Sequence, residues 1–415
     1  RGVLWEKAYS VSSWTKPAVT SLLTGLYPCQ HGAYEGIKRG RGRQPATTDR
    51  LRPACSTLAE TLSACGWRCG AFINNEQLGE FSGLDRGFGA YVPGAGKADR
   101  LIGAFRGWLQ EDPQAPFFAY LHFLEAHWPY RPRRRHTATF GGDRDTNAFS
   151  GYSARDFGRL RRSISRGEAT LSAEQLDQMM LLYDAAVRRL DGRLRVVLSA
   201  LKEFGLRDRV ALFITADHGE EFLDHGGIGH GQSLYDELTH VPLVAHLPDG
   251  PEGVRRHEPV SLTDVPNTVL FLAGIDAAEQ EGNLLLRTGA ARPVYGELRI
   301  RNRYMQVIRT GRWKLHRRFS FQPSNGELSG SPSLPQLREN CPHTISDELY
   351  DMLADPGERT SLAGEPGCQQ VRRALAGELE DWWRSAGVPA EKEEFAGVEI
   401  DHRVVRRLRE LGYIE

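Results

Sequence analysis

Cysteine is scarce in this chain. Six thiols in 415 residues (Cys29, Cys55, Cys65, Cys69, Cys341 and Cys368) are scattered without a CxxC or any other metal-ligand spacing. In a chain of this length that scatter reads as separate thiols, and it argues against a disulfide frame or a cysteine-built zinc site. Net charge is lacking too, since 53 Lys and Arg balance 53 Asp and Glu. The overall field therefore gives no ground for a nucleic-acid partner or an anionic membrane surface, and charge has to be read locally. No window approaches about 18 uninterrupted apolar residues, so no transmembrane helix is expected. The chain opens at Arg1 without a Met or a charged-then-apolar leader, and no compartment is assigned from it. Internal repeats and low-complexity tracts are also missing.

What is present is ordinary globular usage, 40% hydrophobic and 26% charged residues, which excludes a disordered chain or a collagen-like fibre. Apolar runs of strand length, Cys69–Ile73, Phe117–Phe123, Val210–Thr215 and Pro242–His246, are separated by helix-like stretches such as Ser56–Cys65, Leu171–Ala200 and Asp264–Ala273. This rhythm predicts a doubly wound α/β domain over residues 1–290, with a large, mainly parallel sheet covered by helices on both faces. Beyond residue 290, short segments at Val294–Glu297, Tyr304–Arg309 and Arg312–Arg318 predict a smaller antiparallel sheet in a subdomain of residues 291–415. Helices are expected over Gln369–Ala386 and Val404–Leu411. Arg131–Arg162 breaks the rhythm with nine arginines, three aspartates and no glutamate. It reads as a long surface loop, either a basic lid over an anionic substrate or a solvated excursion.

Three segments carry chemistry. In Phe213–Glu237, FITADHGEEFLDHGGIGHGQSLYDE, an apolar strand runs into Asp217-His218-Gly219, placing an oxygen and a nitrogen ligand at a carboxyl strand end, where open α/β sheets build their sites. His225 and His230 follow in a glycine-rich loop that can bring an imidazole to the same place; the alternative is a capping Asp and surface histidines. In Ser12–Gly25, SSWTKPAVTSLLTG, Pro17 falls in a first helical turn and Thr15 lies at the positive end of the helix dipole, where its hydroxyl can either cap the helix or attack. In Pro116–Pro132, PFFAYLHFLEAHWPYRP, a strand delivers His127 into a loop, as a general acid or as an imidazole lying on aromatic surface.

Together these segments resemble the sulfatases of the alkaline phosphatase superfamily. The resemblance rests on WTKPAVTSLLTGLYPCQHGAY, on HWPY, on TADHGEEFLDHGGIGHGQSLYDELTHVPL, and on the later RTGRWKL, ELYDMLADPGE and LRELGYIE, in the family's order over nearly the whole length. It implies an alkaline phosphatase-like fold and a sulfuric ester hydrolase acting on a small anionic ester with one divalent metal ion: calcium, manganese, zinc or magnesium. Thr15 falls at the nucleophile, Asp217 and His218 with Thr15 at the metal, and His127 at the proton donor to the leaving oxygen. His230 stands where many sulfatases carry an anion-binding lysine. The sequence departs from the family at four places. Thr15 replaces the usual Cys or Ser, and because its β-carbon bears a methyl no formylglycine is expected. Val19 replaces the motif's Arg, with Lys16 as a substitute cation. GAFINNEQL replaces the Lys-x-His pair, with Asn74 or Asn75 as a substitute donor or as a turn residue. The family's first strand, which ends in an Asp-Asp type pair that completes the metal site, is expected to lie just before the point where this sequence starts. The expected function is metal-dependent hydrolysis of sulfate esters by a hydroxyl nucleophile. The alternatives are a phosphodiester or phosphonate monoester hydrolase, or an inactive anion-binding relative.

Overall fold

The computed structural model describes residues 2–36, 47–94, 97–140, 149, 151–275, 285–286, 292–300, 303–320, 345–386 and 398–399. In chain order the strands are β1 (Val3–Tyr9), β2 (Thr47–Thr48), β3 (Arg68–Ile73), β4 (Ala90–Val92), β5 (Phe117–His122), β6 (Leu212–Thr215), β7 (Glu221–Phe222), β8 (Ile228–Gly229) and β9 (His240–His246). They continue with β10 (Val254–Arg256), β11 (Val260–Ser261), β12 (Val294–Ile300), β13 (Arg303–Arg309), β14 (Trp313–Ser320), β15 (Ile345–Asp351) and β16 (Val398–Glu399). The helices that matter for the site are α1 (Thr15–Thr24), α2 (Pro28–His31), α3 (Leu58–Ala64), α4 (Ala98–Glu111), α5 (Arg134–Thr137), α6 (Ala154–Ser165), α7 (Ala173–Glu203), α8 (Asp236–Thr239) and α9 (Asp264–Leu272).

The strands of the large domain form two ribbons. One runs β10-β1-β9-β6 with β11 also on β1, and the other runs β4-β3-β5. Pairing is parallel between β1 and β10, β1 and β11, β3 and β4, and β3 and β5; only β9 runs against its neighbours. The period of two in β3 explains why both faces are covered. Phe72 packs with Phe105 and Trp108 of α4 and Val197 and Leu201 of α7, whereas Ala71 and Ile73 point to Val19 and Leu23 of α1. Helices α3 and α9 complete the second face around Leu62, Cys69 and Val269. The doubly wound α/β architecture read from the sequence is the one observed, with strand limits shifted by a residue or two.

Among the described residues no strand pairing joins the two ribbons. Among the described pairings β5 joins only β3 and β6 joins only β9, and their free edges face each other across a cavity of about 800 Å³. Leu190, Leu194 and Val197 of α7 wall it on one side, and Leu22, Val265 and Val269 of α1 and α9 on the other. The apolar runs FFAYLH and LFIT are consequently only partly buried, although strands of this composition are ordinarily sealed on both faces.

The second sheet, β12-β13-β14-β15, is antiparallel throughout. The helix Gln369–Ser385 covers one face by burying Leu375 and Leu379 against Ile308, Leu315 and Leu349. Leu298, Met305 and Val307 close the other face over Leu234 of the large domain. One expectation needs correction, because the arginine-rich stretch is not loop throughout: residues 154–165 form α6. Ser153 caps it by accepting from Asp156 N, and Phe157 and Ile164 bury against Trp128 and Ile228. The cap and the apolar spacing were visible in the sequence but were outweighed by the run of arginines. The short helix expected at Val404–Leu411 lies outside the described residues.

Candidate active site

The site lies where β5 and β6 release their chains beside the start of α1. Thr15 is the first residue of α1, and the capping position belongs to Trp14, whose backbone is extended. The Thr15 hydroxyl therefore does not cap the helix; its Oγ1 lies 3.1 Å from His218 Nε2. Two residues past β6, Asp217 carries a buried Oδ2 that has no hydrogen-bond partner and stands 3.5 Å from His218 Nε2. Burial pushes the Asp217 carboxyl up, but the neighbouring His218, His122 and His230 outweigh it and hold the group below its ordinary value. His218 Nδ1 is 2.9 Å from Gly219 O. A carbonyl only accepts, so Nδ1 carries a proton, and Nε2 is the ring atom that faces Thr15.

Gly219 makes this placement possible. Its N–H donates to Leu238 O at 2.9 Å, and a β-carbon on it would lie 2.0 Å from Glu237 O. Two backbone segments thus touch directly behind His218.

His127 follows β5, and its Nδ1 donates to Trp128 O at 2.5 Å, leaving Nε2 as the other ring position. Burial lowers its pKa, partly opposed by Glu220. The His230 ring stands 4.1 Å from that of His218 and 5.0 Å from that of His127, centroid to centroid. His230 Nδ1 is hydrogen-bonded to Glu220 Oε1. Ser13 Oγ donates to Ser233 O at 2.6 Å, so the nucleophile segment and the GHGQS loop are pinned together. Of the two loop histidines read from the sequence, only His230 reaches the site. His225 stacks on Tyr235 with ring centroids 3.6 Å apart, and its ring nitrogens lie 2.7 Å from Glu237 Oε1 and 3.0 Å from Glu358 O.

Lys16 turns away from this cluster. It is fully buried, and its Nζ donates to Thr48 Oγ1 and, at 3.0 Å, to Asp49 O. Burial brings its pKa down to about 7. Asn74 donates its backbone N–H to His122 O at 3.0 Å, which sets it beside the end of β5. Next to it Asn75 makes the turn, with Oδ1 accepting from Gln77 N at 2.9 Å, while its buried Nδ2 has no partner. Sequence reasoning missed three neighbours. His122 ends β5, its Nδ1 2.9 Å from Tyr120 Oη, and it is one of the charges acting on Asp217; it lies five residues before His127 inside an apolar run and looked like core. Glu220 and Tyr130 stand within segments already singled out, but nothing in their spacing linked them.

Asp217 Oδ2, His218 Nε2 and Thr15 Oγ1 make a mixed oxygen and nitrogen donor set, and an orphaned buried carboxylate oxygen belongs to it. That set fits a divalent cation. His218, Glu220 and His230 also offer donor atoms within 4.8 Å of one another. There, however, both carboxylate oxygens are engaged, Oε1 by His230 and Oε2 by the Tyr130 hydroxyl at 2.5 Å.

Comparison with known proteins adds the following. The family model described as Sulfatase matches residues 1–275. A Δ4,5-hexuronate-2-O-sulfatase of Bacteroides thetaiotaomicron is 22% identical over 97% of this chain and 84% of its own length. Arylsulfatase K of Xenopus laevis is 24% identical over 48% of this chain, which spans only 36% of that protein. Among solved structures, a protein in complex with its substrate D-glucosamine-2-N,6-O-disulfate superposes with a TM-score of 0.69 at 16% identity, covering 95% of this chain and 92% of that one. A phosphonate monoester hydrolase of Agrobacterium radiobacter gives a TM-score of 0.65 at 20% identity, covering 96% and 93%. At such identities the structural likeness is one of fold.

Proposed function

The chain belongs to the sulfatase family, whose members hydrolyse sulfate esters, and from that premise we propose that Thr15 is its nucleophile, Asp217, His218 and Thr15 its metal ligands, and His127 its general acid. One observation carries the reading: the Thr15 hydroxyl lies 3.1 Å from His218 Nε2, beside the unpartnered Oδ2 of Asp217. A divalent cation bound there would supply charge stabilisation to the ester oxygens and make the Thr15 hydroxyl easier to deprotonate. Thr15 Oγ1, its proton lost to solvent, attacks sulfur in line as the bond to the leaving oxygen breaks, and that oxygen takes its proton from Nε2 of His127 in its imidazolium form. His230 binds the equatorial oxygens. The Thr15 sulfate ester that results has no geminal hydroxyl through which to eliminate sulfate, so water must attack its sulfur to complete turnover. The substrate class is a small anionic sulfate ester. The sugar sulfate bound by the structural neighbour and the hexuronate sulfatase among the relatives both favour a sulfated sugar.

Three donors under-fill the coordination of a divalent ion. The gap between β5 and β6 opens at the same strand ends, and a parallel strand filling it would end beside Asp217. We assign the acidic pair that the family resemblance implies to such a strand.

The test is turnover of an aryl sulfate, an aryl phosphodiester and an aryl phosphonate, each with and without added divalent metal. It is run on this chain and on the chain expressed with the reading frame that precedes the codon of Arg1. Metal-dependent sulfate hydrolysis, lost by roughly 10⁴-fold or more in Thr15→Ala with folding intact, is the expected result. Preference for the phosphorus esters would support the second reading, a phosphodiester or phosphonate hydrolase. The hydroxyl nucleophile and the phosphonate-hydrolase neighbour favour it. Unchanged turnover in Thr15→Ala would remove Thr15 from the mechanism.

A further inference from the structure

The imidazoles of His127, His218 and His230 are held alike at one nitrogen and differ in what holds them. His127 and His218 give Nδ1 to the carbonyl of their own neighbours, Trp128 O and Gly219 O. Of these three, His230 gives it to a side chain, Glu220 Oε1. The Glu220 side chain is 6% exposed, and its second oxygen accepts from the Tyr130 hydroxyl at 2.5 Å. Tyr130 comes from the loop after β5 and is wedged among Trp128, Tyr183 and Phe222, with ring centroids 5.0, 5.4 and 6.5 Å away. A chain of contacts therefore runs from the aromatic cluster through Tyr130 and Glu220 to His230. It starts on the β5 side of the site and ends on the β6 side.

A carboxylate that accepts from Nδ1–H fixes both the tautomer and the plane of an imidazole, and leaves Nε2 to point the other way. The His230 ring itself lies between those of His218 and His127, with centroids 4.1 and 5.0 Å away, and His218 Nε2 in turn is 3.1 Å from Thr15 Oγ1. Both oxygens of Glu220 are thus engaged, Oε1 by His230 and Oε2 by Tyr130.

We infer that Glu220, held by Tyr130, is a positioning residue: it acts through His230, fixing that ring as the Nδ1–H tautomer with Nε2 presented to the anionic group of the substrate. The inference rests on the reading that His230 meets that group. It has a readout that does not depend on turnover.

Full-length protein carrying ¹⁵N-histidine is compared with Glu220→Gln and Tyr130→Phe by long-range ¹H–¹⁵N spectra, by titration with inorganic sulfate followed at His230, and by steady-state kinetics on the aryl sulfate. The parent should give His230 as a single Nδ1–H tautomer. Glu220→Gln should lose that single tautomer and raise both KM and the sulfate Kd about tenfold, with a much smaller change in kcat. Tyr130→Phe keeps the carboxylate and should move the same quantities in the same direction by less, which covers the case in which Glu220→Gln does not fold. An unaltered tautomer and sulfate affinity in Glu220→Gln would overturn the inference, as would a fall in kcat at constant KM. Should no ester be turned over, the sulfatase reading fails by itself, while tautomer and sulfate affinity still decide the role of Glu220.

Discussion

At the scale of single residues, the site is a set of side chains each tied down at one atom so that another atom is offered. Thr15 is released from capping because Trp14 holds that position, and His218 and His127 are oriented by the carbonyls of the next residues. Such backbone anchors fix the ring plane and keep Nδ1 protonated, so that the imidazolium form of His127 has its second proton at Nε2, the atom it offers. If His127 is that donor, His127→Asn should lower kcat about 10²-fold on an alkyl sulfate and far less on a nitrophenyl sulfate, whose leaving group needs no proton. An equal loss on both substrates would show that His127 does something else. Lys16 illustrates a limit of motif reading: it sits next to the nucleophile in sequence, yet helical geometry turns it a hundred degrees away, into contact with Thr48.

At the scale of elements, the position of His218 depends on backbone meeting backbone. After β6 the chain passes so close to the end of α8 that Gly219 has no room for a side chain. Gly219→Ala should therefore force the two segments apart, with a stability loss of about 2–3 kcal/mol in a denaturant titration. Because a displacement of about 1 Å is enough to misalign reacting groups, the same variant should lose about 10²-fold in kcat. A variant that kept both stability and activity would mean that the α8 backbone yields. The neighbouring hairpin β7-β8 shows the complementary device. The Glu221 carboxylate gathers His225 N, Gly227 N and Gln232 Nε2, and so shapes the loop that delivers His230.

At the scale of the whole molecule, the small sheet is locked to the large domain by a buried ionic cluster. Lys314 of β14, 1% exposed at its side chain, donates to Asp236 Oδ1 at 2.7 Å and Leu234 O at 2.9 Å and pairs with Glu358 at 2.9 Å. Glu358 also accepts from His316 and from Asp236 N, and its carbonyl meets His225. Burial would raise the Glu358 carboxyl, but Lys314 and His316 outweigh it and hold the group well below the usual carboxylate range. A depressed carboxyl contributes stability above its unfolded-state value, near pH 4.5, and loses it as the pH falls through the folded-state value. Glu358→Gln should therefore cost about 3 kcal/mol at neutral pH, the scale of breaking one member of a buried pair. Its difference from the parent should narrow progressively below pH 4.5; a difference independent of pH would assign the loss to packing. The gap between β5 and β6 belongs to this scale as well. Among the described residues β5 and β6 have no strand partner on the edges that line this slot, and apolar helix faces flank it on either side.

The sequence alone determined the alternation of strands and helices, the change to a small antiparallel sheet near residue 290, and the three strand-end and helix-start segments. These are local matters, set by hydrophobic periodicity and by turn and helix-start residues, and the nine-arginine stretch misled most where charge masked a capped, amphipathic α6. Which atoms meet was decided by tertiary structure. That Thr15 faces His218 rather than capping its helix, that Lys16 points away, that His230 enters while His225 leaves to stack on Tyr235, and that Tyr130 reaches Glu220 across ninety residues all depend on how β5, β6 and α1 converge. Sequence spacing fixes the face of an element on which a side chain emerges. The partner it finds there is fixed only when a distant segment packs against that face.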